Sequence, residues 1–210
     1  MKYRPKVCFV NHIIVNIMMS HHPAKVLARE DLRRLLAKVA KGRYRSRNRV
    51  IVLLSVKAGL RACEIARITW PMVTDAQGQS ASILELHPKA AKLGSGRRIP
   101  MHRDLRWELQ CLLKLSPDVL GPVIQSERSG AMTAKSIVNW FKRYYLALNL
   151  AGCSSHSGRR TFVTKAARLV HLAGGSLRDV QQLAGHRSIK TTQAYIDGSS
   201  DAQKRLVQLL

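Results

Sequence analysis

The chain has 210 residues, of which 46% are hydrophobic and 23% are charged. This composition is typical of one globular domain and excludes a disordered chain. The 36 lysines and arginines far outnumber the 12 acidic residues, and the formal net charge is +24. Such an excess attracts polyanions, so nucleic acid is the first partner to consider.

The sequence predicts neither a membrane span near its start nor a disulfide framework along the chain. The apolar run of residues 7–19 is too short and too polar to cross a bilayer. We interpret residues 1–24 as an N-terminal extension, with Met19 as an alternative start. The cysteines are widely scattered without a CxxC pair, which favours free thiols in a reducing cytoplasm: Cys8, Cys63, Cys111 and Cys153.

The first predicted elements are helices. Helical periodicity begins at Ala28 and places three leucines and Val39 on one face, and Gly42 ends this helix. A second helix, predicted from about Ser46, is so apolar that it should form the centre of the core. Gly59 interrupts it, and a short new helix follows in RACEIARI.

The pattern then changes to that of a small sheet. Residues 69–86 predict two short strands joined by a DAQG turn. A third strand is predicted in RRIPMH, after the glycine-rich hairpin LGSG. Together they predict a three-stranded antiparallel sheet.

Helices dominate the rest of the chain. They are predicted over residues 103–115, over 133–150 with Thr133 as the cap, and from near His156 to the glycine pair at 174–175. Ser176 and Asp179 form a capping box for the next helix, and a further one spans 188–196. The fold class is therefore α+β and mainly α-helical, with one domain over 25–198 and an amphipathic tail helix over 199–210.

Basic residues crowd into the segment KGRYRSRNR. Five of them fall within nine residues: Lys41, Arg43, Arg45, Arg47 and Arg49. Such a run can be a solvated helix face, but with this net charge we favour contact with phosphate groups.

Four further stretches contain residues suited to phosphate chemistry. His156 and Arg159 share a helix face and could address one anion, and Gly158 between them indicates a close approach of backbone or ligand. Arg61 begins a helix after the Gly59 break, where Glu64 could hold its guanidinium. The alternative is an ordinary surface ion pair.

The hairpin KLGSGRRIP offers a candidate general acid. The ammonium group of Lys92 could reach into a groove and protonate a leaving oxygen, with Lys89 as a rival. Arg97 and Arg98 are nearby alternatives and candidate DNA contacts, as are Arg187 and Lys190 further along the chain.

His186 and Tyr195 lie in LAGHRSIKTTQAY. The Gly185 break places His186 in a turn and Tyr195 late on the following helix, so both could face one cleft. A tyrosine near arginines can act as a nucleophile, although it can also be a core residue. The same stretch is similar to a helix-turn-helix DNA reader, which leaves a non-catalytic regulator as an alternative.

Taken together, these stretches resemble the tyrosine recombinases, the phage integrase family. The matching segments are GLRACEI, KLGSGRRIP, HSGRRTFVT and LAGHRSIKTTQAY. The resemblance covers about residues 28–197, and the last segment is the most specific. The residues that match the family signature are Arg61, Lys92, His156, Arg159, His186 and Tyr195.

The resemblance implies a site-specific recombinase or integrase of a mobile genetic element. Tyr195 would attack a DNA phosphate and form a 3′-phosphotyrosyl bond, while Arg61 and Arg159 would bind the non-bridging oxygens. Lys92 would protonate the leaving 5′-oxygen, His156 would accept or share the tyrosine proton, and His186 would hydrogen-bond the phosphate. Neither ATP nor a metal ion is required, so no cofactor is expected.

The resemblance also implies partners. These are double-stranded DNA and further copies of the chain, which would assemble on DNA into a tetrameric synapse, with accessory DNA-binding proteins left open. We expect a cytoplasmic, nucleoid-associated protein with no membrane contact. A type IB topoisomerase remains an alternative, since it would use the same chemistry without a specific site.

The sequence departs from the family pattern in three respects. Family members usually have an N-terminal clamp domain, whereas about 27 residues precede the catalytic pattern here, so we expect weak independent site recognition. Single-domain relatives such as the fimbrial phase-switch recombinases have no such domain either. The segment from Arg159 to Leu177 is about one helical turn longer than usual, and Arg160 stands where the family often has histidine.

Overall fold

The structure, a computed structural model, describes residues 24–116, 118–128, 130–196 and 207–208. The predicted N-terminal extension, except residue 24, and the predicted tail helix, except residues 207–208, lie outside the described residues. The helices of the described part are α1 (Arg29–Ala40), α2 (Arg45–Lys57), α3 (Ala62–Ile65), α4 (Arg103–Leu113), α5 (Ala134–Ala147), α6 (Ser157–Leu169), α7 (Leu177–Ala184) and α8 (Ile189–Gln193).

Helix α2 forms the centre of the core, as its apolar sequence predicts. Every residue from Val50 to Val56 is buried, and the helix packs against α1, α4 and α6. Burial of a complete helix circumference explains why its sequence shows no polar face in this stretch. The C-terminal end of α2 leads directly into the turn that carries Arg61, so the best-packed helix of the domain supports that residue.

The sheet of the described residues has two strands, and the prediction of three is wrong because the first of the predicted strands does not form. Strand β1 (Ile83–Leu86) pairs antiparallel with β2 (Arg97–Pro100), with Leu84 opposite Ile99. The segment predicted as the first strand instead forms a 3₁₀ turn over Trp70–Met72, followed by an isolated bridge between Thr74 and Ser80. Pro71 explains the difference, because proline cannot donate to a strand ladder and readily begins a helical turn.

The predicted helix caps are confirmed at two positions. The Thr133 side chain accepts a hydrogen bond from the Ser136 backbone N–H at the start of α5. Ser176 and Asp179 form the reciprocal capping box of α7. Because a fixed helix start fixes the whole register of a short helix, the second cap determines where α7 ends and where the following turn begins.

A second, smaller core joins α6 to α7. It contains four buried residues, Val163, Ala167, Val180 and Ala184, and the partly buried ring of Tyr195 packs against them. Helix α8 ends at Gln193, earlier than predicted, so Tyr195 lies in the turn after α8 instead of on the helix. The thiols of the described cysteines, Cys63, Cys111 and Cys153, are free as expected.

Candidate active site

The site begins at the glycine turn after α2. Gly59 has φ = +65°, and a Cβ atom there would lie 2.4 Å from Cδ1 of Phe162 on α6. Both the left-handed backbone and the close ring contact favour glycine at this position. The turn therefore packs directly on α6, which brings the residue that follows it, Arg61, close to Arg159 of α6.

Arg61 is fixed by a buried carboxylate. Its backbone N–H donates to Oε2 of Glu64 at 2.9 Å, and its Nη1 donates to Oε1 of Glu64 at 3.0 Å. Glu64 is completely buried, and its pKa would rise through burial alone, but hydrogen bonds and charge from Arg97 and Arg61 lower it to about 2. The carboxylate is therefore ionised at neutral pH, and the pair is buried rather than the surface pair that we considered as an alternative.

Arg159 is held by two backbone carbonyl groups. The side chain is 3% exposed, Nη1 donates to the Gly59 oxygen at 2.6 Å, and Nη2 donates to the Ala184 oxygen at 2.7 Å. Burial, followed by repulsion from Arg61, lowers the pKa of Arg159 to about 10, so it stays charged at neutral pH. Gly158 is closely approached, but by a side chain of α2 and not by the backbone or ligand that we expected, because a Cβ there would lie 2.2 Å from Oγ of Ser55.

Lys92 lies in the 3₁₀ turn Lys92–Gly94 between the two strands. Its side chain is exposed, while its backbone N–H points to Oε1 of Glu64 at 3.4 Å. Its rival Lys89 is also exposed. The backbone contact ties the hairpin base to the carboxylate that fixes Arg61, while the ammonium group remains accessible to a ligand.

His156 caps the N-terminus of α6 and is exposed. Desolvation and then the charges of Lys92, Arg159 and Arg61 lower its pKa, which favours the neutral imidazole. A neutral imidazole next to three cations can accept a proton. The electrostatic influence of these three groups also shows that the site gathers around His156.

His186 follows the Gly185 turn, where the sequence placed it. It is 8% exposed, and its Nδ1 lies 3.0 Å from Oγ1 of Thr192 on α8. Burial, followed by the charges of Arg159, Arg61 and Arg97, lowers its pKa to about 4, so the ring is neutral at pH 7. Sequence reasoning missed the part played by Thr192, although the paired threonines were visible in the motif.

Tyr195 stacks on His186. The two ring centroids are 5.6 Å apart with an interplanar angle of 21°, and the guanidinium carbon of Arg160 lies 5.6 Å from the centre of the tyrosine ring. Arg160, at the position where the family often has histidine, therefore lies over the Tyr195 ring. Tyr195 also interacts electrostatically with Arg159, so the tyrosine belongs to the same cleft as the arginines.

The residues predicted as DNA contacts occupy different environments. Arg43, Arg45, Arg187 and Lys190 are exposed, and Arg98 is exposed and paired with Glu85. Arg47 is partly buried, where it donates to the Gln125 oxygen at 2.9 Å and covers the Tyr44 ring. Arg97 does not fit the expected contact, because its side chain is 6% exposed and bound to Glu64.

Within the described residues, no cluster of three or more histidine, cysteine, aspartate or glutamate side chains is arranged to hold a metal ion. The same part of the chain has no helix long and apolar enough to cross a membrane.

Comparison with known proteins identifies the family of this chain. A family model described as "Phage integrase family" matches residues 25–201. The chain therefore belongs to the phage integrase family.

Curated relatives carry recombinase names. The chain is 30% identical over 176 residues to the tyrosine recombinase XerA of Thermococcus kodakarensis, and the match covers 81% of this chain and 57% of that protein. It is 28% identical over 170 residues to XerD of Haemophilus influenzae, covering 76% and 53% of the two chains. The matches thus span little more than half the length of these relatives.

Solved structures share the fold. The integrase of the Tn1549 transposon, in complex with a circular intermediate DNA, superposes with a TM-score of 0.71 at 17% identity over 91% of this chain and 67% of that one. A crystal structure of XerA recombinase gives a TM-score of 0.69 at 23% identity, covering 90% of this chain and 64% of that one.

Proposed function

We propose that this chain is the catalytic part of a tyrosine-type site-specific recombinase that cleaves and rejoins DNA strands through Tyr195. One observation carries the proposal: two fixed arginines, a neutral buried histidine and a tyrosine face one cleft on a strongly basic protein. Family membership and the recombinase names of the relatives support the same activity.

The two arginines suit a phosphate on which negative charge develops. Arg159 uses two of its N–H groups on carbonyl oxygens, and a guanidinium has five, so three remain to donate to a phosphate. Arg61 is likewise anchored from one side, through Glu64. Cations that are already fixed before the reaction stabilise the transition state without reorganisation.

His186 acts as a hydrogen-bond donor in this proposal. We assign the Thr192 hydroxyl as the donor to Nδ1, 3.0 Å away, and this assignment leaves the single ring proton on Nε2. A depressed pKa keeps the ring neutral, so it offers one N–H to the phosphate without a titrating charge.

The covalent step exchanges one phosphodiester bond for another. The Tyr195 oxygen attacks phosphorus, its proton passes to His156, the bond from phosphorus to the 5′-oxygen breaks, and Lys92 protonates that oxygen. The reverse reaction with another 5′-hydroxyl rejoins the strand. Because the bond energy is kept in the phosphotyrosyl link, the step needs no ATP, and its proton transfers use side chains only.

Duplex DNA is the proposed partner, and it would contact the chain in two places. The exposed residues next to the cleft, Arg187 and Lys190, suit phosphates that flank the cleaved bond. Arg43 and Arg45 lie at the other end of α2, whose 13 residues span roughly 18 Å. They would contact phosphates remote from the cleavage point and would contribute affinity rather than catalysis.

The decisive experiment uses nicked suicide DNA followed by a denaturing gel. The parent protein should form a covalent adduct that survives EDTA, whereas Tyr195→Phe should bind the same DNA and form none. An unchanged adduct in Tyr195→Phe would contradict the assignment, and loss of the adduct in EDTA would contradict the metal-free step. Relaxation of supercoiled DNA without any preferred site would favour the type IB topoisomerase alternative.

Assembly is part of the proposal. We expect a monomer in solution that assembles on DNA toward a tetramer, with the segment 199–210 docking on a neighbouring copy. Deletion of residues 199–210 should then reduce assembly and recombination but leave salt-sensitive DNA binding intact, as measured by sedimentation and gel shift. A truncated protein that unfolds would assign the segment to its own core.

A further inference from the structure

Arg97 occupies a central place behind the active site. Its Nη1 and Nη2 donate to Oε1 and Oε2 of Glu64 at 3.2 and 3.1 Å, and its Nε donates to the Leu183 oxygen at 2.9 Å. The guanidinium therefore binds both oxygens of the carboxylate on one side and the end of α7 on the other. The Glu64 carboxylate that Arg97 binds is also the group that fixes Arg61.

Arg97 and Arg159 hold consecutive carbonyl groups at the C-terminus of α7. Arg97 binds the Leu183 oxygen, and Arg159 binds the Ala184 oxygen. The last carbonyl groups of a helix have no partner within the helix and carry partial negative charge, so cations there are favourable. His186 lies two residues after Ala184, so the bonds that hold these carbonyl groups also determine its position.

The Gly185 turn is shaped around Arg97. Gly185 has φ = +62°, and a Cβ atom there would lie 3.0 Å from both Cδ and Nη1 of Arg97. The arginine side chain thus packs directly under the turn that carries His186. This packing contact is separate from the hydrogen bonds, and it also links Arg97 to the position of His186.

From these contacts we infer that Arg97 is a positioning residue that locks Arg61 and His186 into one geometry, acting through Glu64 and the end of α7. The Arg97 side chain, which belongs to strand β2, binds helix α3 through Glu64 and helix α7 through the Leu183 oxygen. The inference rests on the proposed function for its catalytic consequence, but its structural part concerns this protein alone.

The chemistry of the contacts requires arginine. A guanidinium is planar and offers five N–H groups in a fixed fork, so it can bind both carboxylate oxygens and a carbonyl at once. Lysine would keep the charge but could not make the same set of bonds. Arg97 is also buried, whereas the side chain of its neighbour Arg98 is 70% exposed and pairs with Glu85 at the surface.

The first measurement is single-turnover cleavage of suicide DNA at saturating protein. Arg97→Met and Arg97→Lys should both reduce the cleavage rate by roughly a hundredfold, which is the effect expected when reacting groups shift by about 1 Å. The dissociation constant for DNA should change less than about threefold, because one buried charge among 36 basic residues contributes little to phosphate attraction.

Glu108→Gln is the matched control. Glu108 is a largely buried carboxylate that pairs with Arg49, so this substitution breaks a comparable ion pair without removing a candidate DNA contact. It should lower stability by an amount comparable to Arg97→Met and leave the cleavage rate within about twofold. A rate loss in both variants would reduce the Arg97 effect to general destabilisation and overturn the inference.

The second measurement needs no substrate. The backbone N–H groups of Gly185 and His186 donate to the backbone oxygens of Gln182 and Gln181, and their hydrogen exchange should accelerate by roughly tenfold in Arg97→Met but not in Glu108→Gln. Unchanged exchange would show that Arg97 does not hold the turn and would overturn the inference, whatever the activity.

The two measurements separate the proposals. A parent protein without any adduct defeats the proposed function, while the exchange result still decides the position of Arg97. A parent protein with normal cleavage and an Arg97→Met variant with the same rate defeats the positioning role alone. A parallel loss of rate and affinity in Arg97→Met would identify a DNA contact, and full activity of Arg97→Lys would show that charge suffices without the fork; each contradicts the inference.

Discussion

The two ends of α2 present arginines in opposite settings. Beyond its C-terminal end, Arg61 and Arg159 are anchored by a buried carboxylate and by backbone carbonyl groups, and Arg159 is almost inaccessible to water. At its N-terminal end, Arg43 and Arg45 are exposed, and Arg43 lies over the ring of Tyr44 at 5.2 Å. Arginine therefore provides fixed geometry beyond one end of α2 and accessible charge at the other end.

The difference separates two uses of positive charge. A guanidinium held before the reaction can match charge that develops on one phosphate, because no reorganisation is needed. An exposed guanidinium attracts the whole DNA backbone by releasing counterions and tolerates many positions. We therefore expect substitutions near the cleft to change rate, and substitutions at the N-terminal end of α2 to change affinity and its salt dependence.

The largest effect is expected for Arg159. Arg159→Lys should slow cleavage by roughly a hundredfold to a thousandfold, since lysine cannot bind two carbonyl groups and the phosphate together. DNA affinity, measured by gel shift, should change by less than about threefold. Equal losses of rate and affinity would make Arg159 an ordinary phosphate anchor and would remove the contrast between the two ends of α2.

Lys92 tests the proton transfer to the leaving oxygen. Lys92→Ala should slow cleavage by roughly a hundredfold, which is in the range for one general acid. A substrate with sulfur at the bridging 5′ position should restore most of this rate, because a thiolate leaves without needing a proton. The same substrate should not rescue Arg159→Lys, and rescue of both variants would contradict the separate roles.

The N-terminal end of α2 should show the converse behaviour. The double substitution Arg43→Ala with Arg45→Ala should weaken DNA binding by roughly tenfold at low salt. It should reduce the slope of log affinity against log salt by about 2, close to 0.9 for each lost phosphate contact. The single-turnover rate at saturating protein should be unchanged, and a slower rate would show that this surface also shapes the cleft.

The sequence predicted secondary-structure elements more reliably than the interactions between side chains. The caps at Thr133 and Ser176 and the buried α2 follow from local patterns, which short stretches encode fully. The first of the three predicted strands failed because Pro71 turned an apparently extended segment into a 3₁₀ turn. Local periodicity does not show whether tertiary packing will select the extended or the turn conformation of such a segment.

The role of Arg97 lay beyond sequence reasoning for another reason. Arg97 and Arg98 look alike in KLGSGRRIP, but alternate residues of a strand point to opposite faces, so Arg97 meets Glu64 while Arg98 meets Glu85. The alternation is predictable, but the identity of the buried face depends on α3 and α7, which are distant in sequence. The six candidate catalytic residues could be named from motifs, whereas the groups that hold them required the fold.

The smallest expected effect is a dependence of stability on pH in which His186 of the cleft has the largest part. Folding lowers the pKa of His186 from 6.5 to about 4, so between these values the unfolded chain binds a proton that the folded protein does not. Stability should therefore fall as pH decreases from 6.5 to 4, by about 1–3 kcal/mol from this residue. Chemical denaturation at several pH values measures this slope, and His186→Gln should reduce it. A smaller slope should remain, because burial also lowers the pKa of His156 and of His102. The segment 41–49 at the far end of α2 has no histidine, so Arg43→Ala with Arg45→Ala should keep the parent slope. A second loss should appear only below pH 4.5, where the unfolded chain protonates Glu64 while the folded protein, in which the pKa of Glu64 is lowered to about 2, keeps it ionised. An unchanged slope in His186→Gln would mean that the imidazole is not desolvated in the folded protein, and the cleft would then be as open to solvent as the opposite end of the helix.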